Sequence, residues 1–441
     1  MKKKKVRKKA YYKNLNILRL ISCIAVLLYH MGILKGGYLA VCIFFVLSGY
    51  LSVTSAYKKD NFNIKDYYIN RIKKLYIPLV IVVFSSITII SLFKNIYWLT
   101  LKSETTSILL GYNNFWQINA NLDYFARHVD SPFMHLWYIG ILLQFELIFP
   151  LLFRLLKKSG EKIDKIMPCI IPLVFATASI IYFLIASHSS NIMNAYYNTF
   201  ARCFSIFFGV SLGFIHSYYK PLIPEKIKKG GLSKVLFYIY LGISLILFIF
   251  VKSTSNLFTI SMILVTLISC RLIDYGTTNK SELNIFDKIV KRVSDISYEI
   301  YLIQYPVIYL SQYININHHL KTPLIIIVTI ILSYILNMAT RKRKKIKVTG
   351  IILLIVIIGA STFGGYKYIT VKNHQKEMKE LEAELAENAK IMEEKQKEYQ
   401  QIKQQEENDW TKELKKLESE ANYEELTKAL PVTFIGDSVM L

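Results

Sequence analysis

The chain has 441 residues, 53% of them hydrophobic, and carries 55 Lys and Arg against 31 Asp and Glu, a formal net charge of +24. Its mean hydropathy is +0.32, and its apolar residues gather into runs of about 20, the length that crosses a bilayer, which excludes a soluble globular protein. A basic balance of this size could serve nucleic acid, but the distribution of the charge along the chain decides against that partner.

The pattern predicts an all-α polytopic membrane protein with about eleven transmembrane helices, near 14–34, 38–57, 76–93, 135–153, 168–186, 199–217, 235–251, 256–273, 297–314, 323–339 and 348–369. If each span reverses direction, one side of the membrane holds roughly 35 Lys and Arg and the other, before the C-terminal tail, roughly 6. The rich side includes Lys2 to Lys13, Lys58 to Lys74, Lys220 to Lys234 and Arg341 to Lys347. Positive loops stay inside, so the N-terminus is expected in the cytoplasm, the C-terminal tail outside, and the cations against lipid headgroups. The first span has a basic flank, as a signal peptide does. It lacks a small-residue cleavage site, and a second span follows at once, so it reads as a retained helix. Cys23, Cys42, Cys169, Cys203 and Cys270 fall within or at the edge of spans, without metal-like spacing, and read as small packing residues. No metal is expected.

Residues 1–370 make up this membrane domain. Its longest non-membrane segment, about 94–134, is rich in Asn and aromatics (Tyr112, Phe115, Trp116, Tyr124, Phe125) and faces outward, either as a cap on the bundle or as an interfacial aromatic belt. Residues 371–430 turn abruptly to Glu, Lys and Gln. Met378, Leu385, Met392 and Tyr399 recur every seven residues, with Leu381 and Ile402 between them and Asn388 and Lys395 interrupting. That is a charged helical linker with at most weak coiled-coil self-association. Residues 431–441 begin a different kind of element: Val432 to Ile435 is a short apolar strand, followed by the turn Gly436-Asp437-Ser438.

Ionisable groups inside spans are costly and mark function. Arg19 and His30 both lie on the first span, and eleven residues at 100° each fall within about 20° of three full turns, so they share a face about 16 Å apart along the axis. A guanidinium can hold phosphates at the cytoplasmic side, while a histidine deeper in the span can act as a base or accept an acyl group. That separation suits an elongated thioester donor such as acyl-CoA. The same spacing is also open to a plainer reading, a snorkelling Arg19 and an interfacial His30.

Several motifs, in order, bear on that choice. Arg19 to His30 is an R-x10-H pair, and Gly37 to Tyr50 reads G-Y-L-A-V-C-I-F-F-V-L-S-G-Y. Arg71 to Pro78 is a basic element ending in proline. His135-Leu-Trp137 runs through Gln144-Phe145 to Pro150, Arg202 precedes Gly209, and Ser297-Tyr298 is followed by Tyr301-Leu302 and Pro306. This ordered set, spanning residues 14 to about 340, resembles the membrane acyltransferase family 3. The resemblance implies that His30 is catalytic and that Arg19 and Arg71 bind the donor, with acetyl-CoA as co-substrate. It adds Ser48, His135, Trp137, Arg202 and Gln304 as further site candidates. Three departures stand out: Cys42 where the family usually has Asp, Leu142 and Leu143 where many members carry Glu, and Gln304 where many carry His. The usual carboxylate partners of a histidine are therefore displaced, and Glu146 is a candidate either for that role or for one at the cytoplasmic end.

Val432 to Val439 resembles the first block of SGNH hydrolases, where the serine after Gly-Asp is the nucleophile, here Ser438. The combination is similar to bifunctional peptidoglycan O-acetyltransferases, whose membrane part delivers acetyl groups outward and whose SGNH domain places them on a sugar hydroxyl. The later blocks that would activate Ser438 do not follow, so a fragment or truncation is expected, with the SGNH step inactive. The function expected is transfer of an acetyl group from cytoplasmic acetyl-CoA outward to a cell-envelope polysaccharide, with membrane lipids as the surroundings and no nucleic acid. The alternatives are direct O-acylation of a lipid-linked or envelope polysaccharide and a non-enzymatic transporter or flippase. The absence of an internal repeat counts against a transporter.

Overall fold

A chain inside hydrocarbon has no water to satisfy its amides, so apolar runs of bilayer length are driven into helix. The computed structural model describes residues 12–59, 61–93, 98–120, 131–188, 192–219, 231–253, 257–277, 284–314 and 317–341, with scattered positions from 355 to 419, most of them within 385–405. Among these residues every regular element is helical. The protein is an all-α polytopic membrane protein, and its contacts divide it into Met1–Gly365 and Tyr366–Leu441.

In the first unit, α1 is Lys13–His30, and a 3-10 turn at Gly37–Leu39 leads into α2, Ala40–Tyr57. α3 (Ile64–Arg71), a π turn (Ile72–Tyr76) and α4 (Ile77–Phe93) follow one another without a break. α5 (Trp98–Leu109) and α6 (Asn113–Asn119) lie in the long segment between spans. Then come α7 (Trp137–Lys162), α8 (Met167–Ser187), α9 (Ile192–Tyr197) and α10 (Thr199–Tyr218). The last five are α11 (Gly231–Phe250), α12 (Phe258–Gly276), α13 (Ile285–Asp295), α14 (Ser297–Ser311) and α15 (His318–Arg341).

Among the described residues, eight helical stretches are long and apolar enough to cross a membrane. The first predicted span is α1, with 18 residues, and the ninth is α14, with 15. At 1.5 Å per residue α14 is about 22 Å long, short of the ~30 Å hydrocarbon core. The predicted eleventh span, near 348–369, lies almost wholly outside the described residues. The helix that holds the third predicted span is continuous from Ile64 to Ile90, so Arg71 sits on a helix that leads into that span. Asn63 starts that helix by accepting the backbone N–H groups of Lys65 and Asp66, a standard N-cap. Outward faces expose large apolar side chains such as Leu147, Leu151, Phe175, Ile185, Phe250 and Ile335, as helices facing lipid do.

The tightest packing joins α2 to α10. Gly49 faces the carbonyl of Ile206 and Gly209 faces that of Val46, and a Cβ at either position would collide with backbone. Small residues permit this approach, which in a membrane is driven by packing and not by water release. Close approach here fixes α2 against the helix that carries Arg202. In the second unit, residues 385–405 are helical, with Leu385, Met392, Tyr399 and Ile402 exposed. The strand and turn expected at Val432 to Ser438 lie outside the described residues.

Gly209→Val is expected to lower the melting temperature of the detergent-purified protein by more than the ~1–3 kcal/mol of ordinary overpacking, because the obstacle is a carbonyl that cannot rotate away. Gly242→Val on α11 meets open space and is expected to melt close to the parent. Equal melting of the two variants would contradict the α2–α10 contact.

Candidate functional site

His30 is the last residue of α1. Gly32 takes the left-handed conformation, φ +74°, and its N–H donates to the Tyr29 carbonyl at 2.9 Å, which ends the helix directly after His30. The imidazole stands edge-on to the Tyr305 ring, with centroids 5.0 Å apart, and edge-on to the His135 ring at 6.1 Å. His135 lies in the 3-10 turn Met134–Leu136 that opens α7, and its ring stacks on Tyr305 at 5.1 Å and 18°. His135 Nε2 lies 3.3 Å from the Leu302 carbonyl. A carbonyl only accepts, so Nε2 carries the proton and Nδ1 is left as the acceptor. Nδ1 makes no hydrogen bond to a described residue. Tyr301 donates to the His135 carbonyl at 2.5 Å. Three separate chain segments thus bring two histidines and two tyrosines together, at the end of α1, the start of α7 and the middle of α14.

Gln304 belongs to the same stretch of α14 and is fully buried. Neither its amide nitrogen nor its oxygen has a hydrogen-bond partner among the described residues. A buried primary amide without partners costs about 1–3 kcal/mol.

From this cluster a polar track descends along α2 and α7. The Tyr138 ring packs 5.2 Å from that of Tyr301 and 4.7 Å from Phe45. The Ser48 side chain lies near Tyr138 and donates to the Phe44 carbonyl at 2.8 Å. One turn further along α2, Ser52 accepts from Arg71 Nη2 at 2.7 Å. Arg71 Nε meets Glu146 Oε2 at 2.7 Å, and the Tyr67 hydroxyl donates to the same carboxylate. The guanidinium lies 5.0 Å from the Tyr67 ring centroid. Eleven residues separate His135 from Glu146, a rise of about 16 Å, the same interval as Arg19 to His30. Of the two roles open to Glu146, the structure places it with Arg71. Arg19 is half-buried on α1, one third of the way along it.

Arg202 is fully buried, and its surroundings explain two other candidates. The guanidinium carbon lies 5.2 Å from the Tyr196 ring, 5.8 Å from Trp137 and Phe183, 5.9 Å from Phe204 and 6.0 Å from Phe45. Nη1 contacts Met262 Sδ and Nη2 lies 3.5 Å from Cys42 Sγ. Among the described residues no carboxylate reaches it. Cation–π attraction, up to about 2 kcal/mol per desolvated ring, takes the place of an ion pair. Trp137 is therefore a wall of the Arg202 cage. Cys42, at the position where an Asp was expected, faces the guanidinium that such an Asp would neutralise. Sequence reading picked out both residues but had no means of pairing them, because they lie on different spans.

Tyr305, Tyr138 and Ser52 were missed by the sequence reading, although Tyr305 stands one helical turn after the recognised Tyr301. A second omission is Glu104 on α5, outside the spans. It is buried, with the Ser131 hydroxyl donating to it at 2.5 Å. Burial pushes its carboxyl up to about 7 against the opposing effect of that hydrogen bond. Gln117 connects the same inter-span segment to the site by donating to the Met134 carbonyl at 2.9 Å. Ser438 lies outside the described residues.

A family profile described as an acyltransferase domain matches residues 12–341, a stretch that contains all these groups. Over 318 residues the chain is 30% identical to the peptidoglycan O-acetyltransferase OatA of Listeria monocytogenes, covering 68% of this chain and 50% of that one. Over 212 residues it is 28% identical to the O-acetyltransferase OatA of Staphylococcus aureus, covering 46% and 35%. The matched stretches thus span a third to a half of these curated relatives. No solved structure matches the chain.

Two outcomes follow from the geometry. Cys42→Asp places a carboxylate beside Arg202 and is expected to hold or raise the melting temperature. Cys42→Val removes the sulfur contact and is expected to cost about 1–3 kcal/mol; the reverse order would mean that the cage needs no counter-charge. For Glu104, the unfolded carboxyl ionises near pH 4.5 and the folded one near 7. Its stabilising effect is therefore full at acid pH and is lost as pH rises through that window. The pH dependence of melting between 4.5 and 7 should flatten in Glu104→Gln, and an unchanged slope would assign it to other groups.

Proposed function

The chain belongs to membrane acyltransferase family 3, and from that premise we propose that it takes an acetyl group from cytoplasmic acetyl-CoA and passes it outward for O-acetylation of a cell-envelope sugar, peptidoglycan in particular. The observation that carries this reading is the meeting of His30, His135 and Tyr305 at one level of the bundle, with Arg71 about 16 Å away along the polar track. The name of the Listeria monocytogenes relative supports peptidoglycan as the acceptor. The preponderance of Lys and Arg in the loops on the N-terminal side supports a cytoplasmic N-terminus and donor entry from that side.

In this reading Arg19 and Arg71 hold the donor phosphates, and the pantetheine arm spans the interval to His30. His30 removes the proton of the acceptor hydroxyl as its oxygen attacks the thioester carbonyl. The new C–O bond forms, the C–S bond breaks, and the CoA thiolate leaves with the proton that His30 received. His135, fixed by the Leu302 carbonyl and stacked on Tyr305, holds the aromatic wall beside His30. Gln304 has the free amide N–H that a developing oxyanion requires. By its resemblance to the SGNH nucleophile, Ser438 would be the acceptor hydroxyl only where a complete SGNH domain activates it.

Membranes carrying the chain, offered acetyl-labelled CoA together with peptidoglycan fragments, provide the test. His30→Ala is expected to lower label transfer by roughly 100-fold or more, in the range of lost general-base catalysis. Arg19→Gln is expected to raise the KM for acetyl-CoA more than it lowers kcat. Equal transfer by His30→Ala and parent, or no transfer by either, would remove the enzymatic reading.

A further inference from the structure

α13 is a three-faced helix. At 100° per residue, Asp287, Val290 and Ser294 fall within about 60° of one another, and all three are buried. This face is tied to α1: Asp287 receives Lys13 Nζ at 2.7 Å, and Ser294 donates to Asn16 at 3.2 Å. A second arc of about 100° holds Ile285, Phe286, Ile289 and Val293. The first three are 77%, 62% and 55% exposed, a heavy exposure for a helix that already has a buried side. The third arc holds Lys288, Lys291 and Arg292. Lys291 is paired with Asp295 at 2.6 Å and Asp287 is taken by Lys13. Lys288 and Arg292, one turn apart, have no carboxylate partner among the described residues.

The apolar arc of α13 continues into a groove of about 380 Å³ against α15. Ile289, Val293 and Ile296 form one wall and Ile331, Tyr334 and Ile335 the other, with Arg292 at the rim. The two walls belong to different kinds of helix. α15 holds one of the eight stretches that can cross the membrane, whereas α13 is short and strongly amphipathic, as helices lying in the plane of the headgroups are. A groove with apolar walls and a cation in its lining matches an acyl chain carrying an anionic headgroup.

We infer that this groove is a binding site for one anionic phospholipid, such as phosphatidylglycerol, in the leaflet at which Lys13 lies. An acyl chain runs between α13 and α15, and the phosphate is held by Arg292 with Lys288 one turn away. Each such cation contributes on the order of 1 kcal/mol at an anionic surface, so together they discriminate anionic from zwitterionic lipid by on the order of tenfold to thirtyfold. The lipid fastens α13, which through Asp287 and Ser294 also fastens the first turns of α1, the helix that carries His30. The site is independent of the proposed chemistry.

The test uses the full chain in nanodiscs and in detergent. Native mass spectrometry and thermal melting are read against added dioleoyl phosphatidylglycerol, dioleoyl phosphatidylcholine and inorganic phosphate. The parent should retain phosphatidylglycerol at least tenfold better than phosphatidylcholine and melt higher with it, with no response to phosphate alone. Lys288→Ala with Arg292→Ala should lose that preference, and Ile331→Asp should lose binding with both cations intact. Lys157→Ala, on an exposed pair with Glu161, should change nothing. Equal retention of both lipids, or an undiminished preference in the double variant, would overturn the site. So would a cross-link from a cysteine at position 331 to one within 348–369, which would show the groove to be filled by the chain itself.

Discussion

A half-buried guanidinium has to be met by protein groups where apolar packing offers none, and the way Glu146 meets Arg71 fixes where several helices stand. Glu146 comes from α7, Ser52 from α2, and Tyr67 and Arg71 from α3. Removing one partner of a buried pair leaves an uncompensated charge and costs about 3–5 kcal/mol, more than most single packing contacts supply. The π turn at Ile72–Tyr76 follows Arg71 directly. A π segment inside a membrane helix gives up regular hydrogen bonding, and such segments gather at functional positions. The ion pair and the π turn together set the direction in which α4 continues, and Tyr298 of α14 donates to the Leu75 carbonyl within that turn at 2.8 Å. In this way the lower end of the polar track is connected to the helix that supplies Tyr301, Gln304 and Tyr305 to its upper end.

Arg202 solves the same problem by other means. It has ring faces and two sulfurs in place of a carboxylate, and its cage is closed by Gly49 and Gly209, which let α2 and α10 come close enough for Cys42 to reach it. The two arginines stand at opposite ends of α2, each binding it to a different neighbour. α2 is thus the common wall of the bundle. Its sequence, with small residues, hydroxyls and aromatics mixed into an apolar run, shows why it is buried on nearly all sides.

Much of this was legible in the sequence, for a simple reason. The bilayer imposes one length, one secondary structure and one charge asymmetry, so hydropathy located the long helices and spacing put Arg19 and His30 on one face. Short helices were harder to judge: α14 is only 15 residues long yet supplies Tyr301, Gln304 and Tyr305 to the site. That Arg71 stands on a helix was not evident, because a basic stretch followed by Pro78 looks like the end of a loop, whereas the helix runs on through it. Pairings between spans, such as Cys42 with Arg202 or Arg71 with Glu146, are invisible to periodicity, which reports faces and not neighbours. Tyr305 was passed over because tyrosines are common in this chain, and its contacts with His30 and His135 are what distinguish it.

The Arg71 network also bears on how an empty site differs from an occupied one. Its cation is already balanced by an internal anion, so a phosphate arriving there meets a neutral pair and must compete with the Glu146 carboxylate for the same guanidinium. Binding is then an exchange of anions. In the structure that carboxylate also accepts from the Tyr67 and Ser52 hydroxyls, which would remain as its partners after such an exchange. Built this way, the Arg71 guanidinium is held without bare charge by groups of three helices, and under the proposed reading an incoming phosphate would have to compete with them.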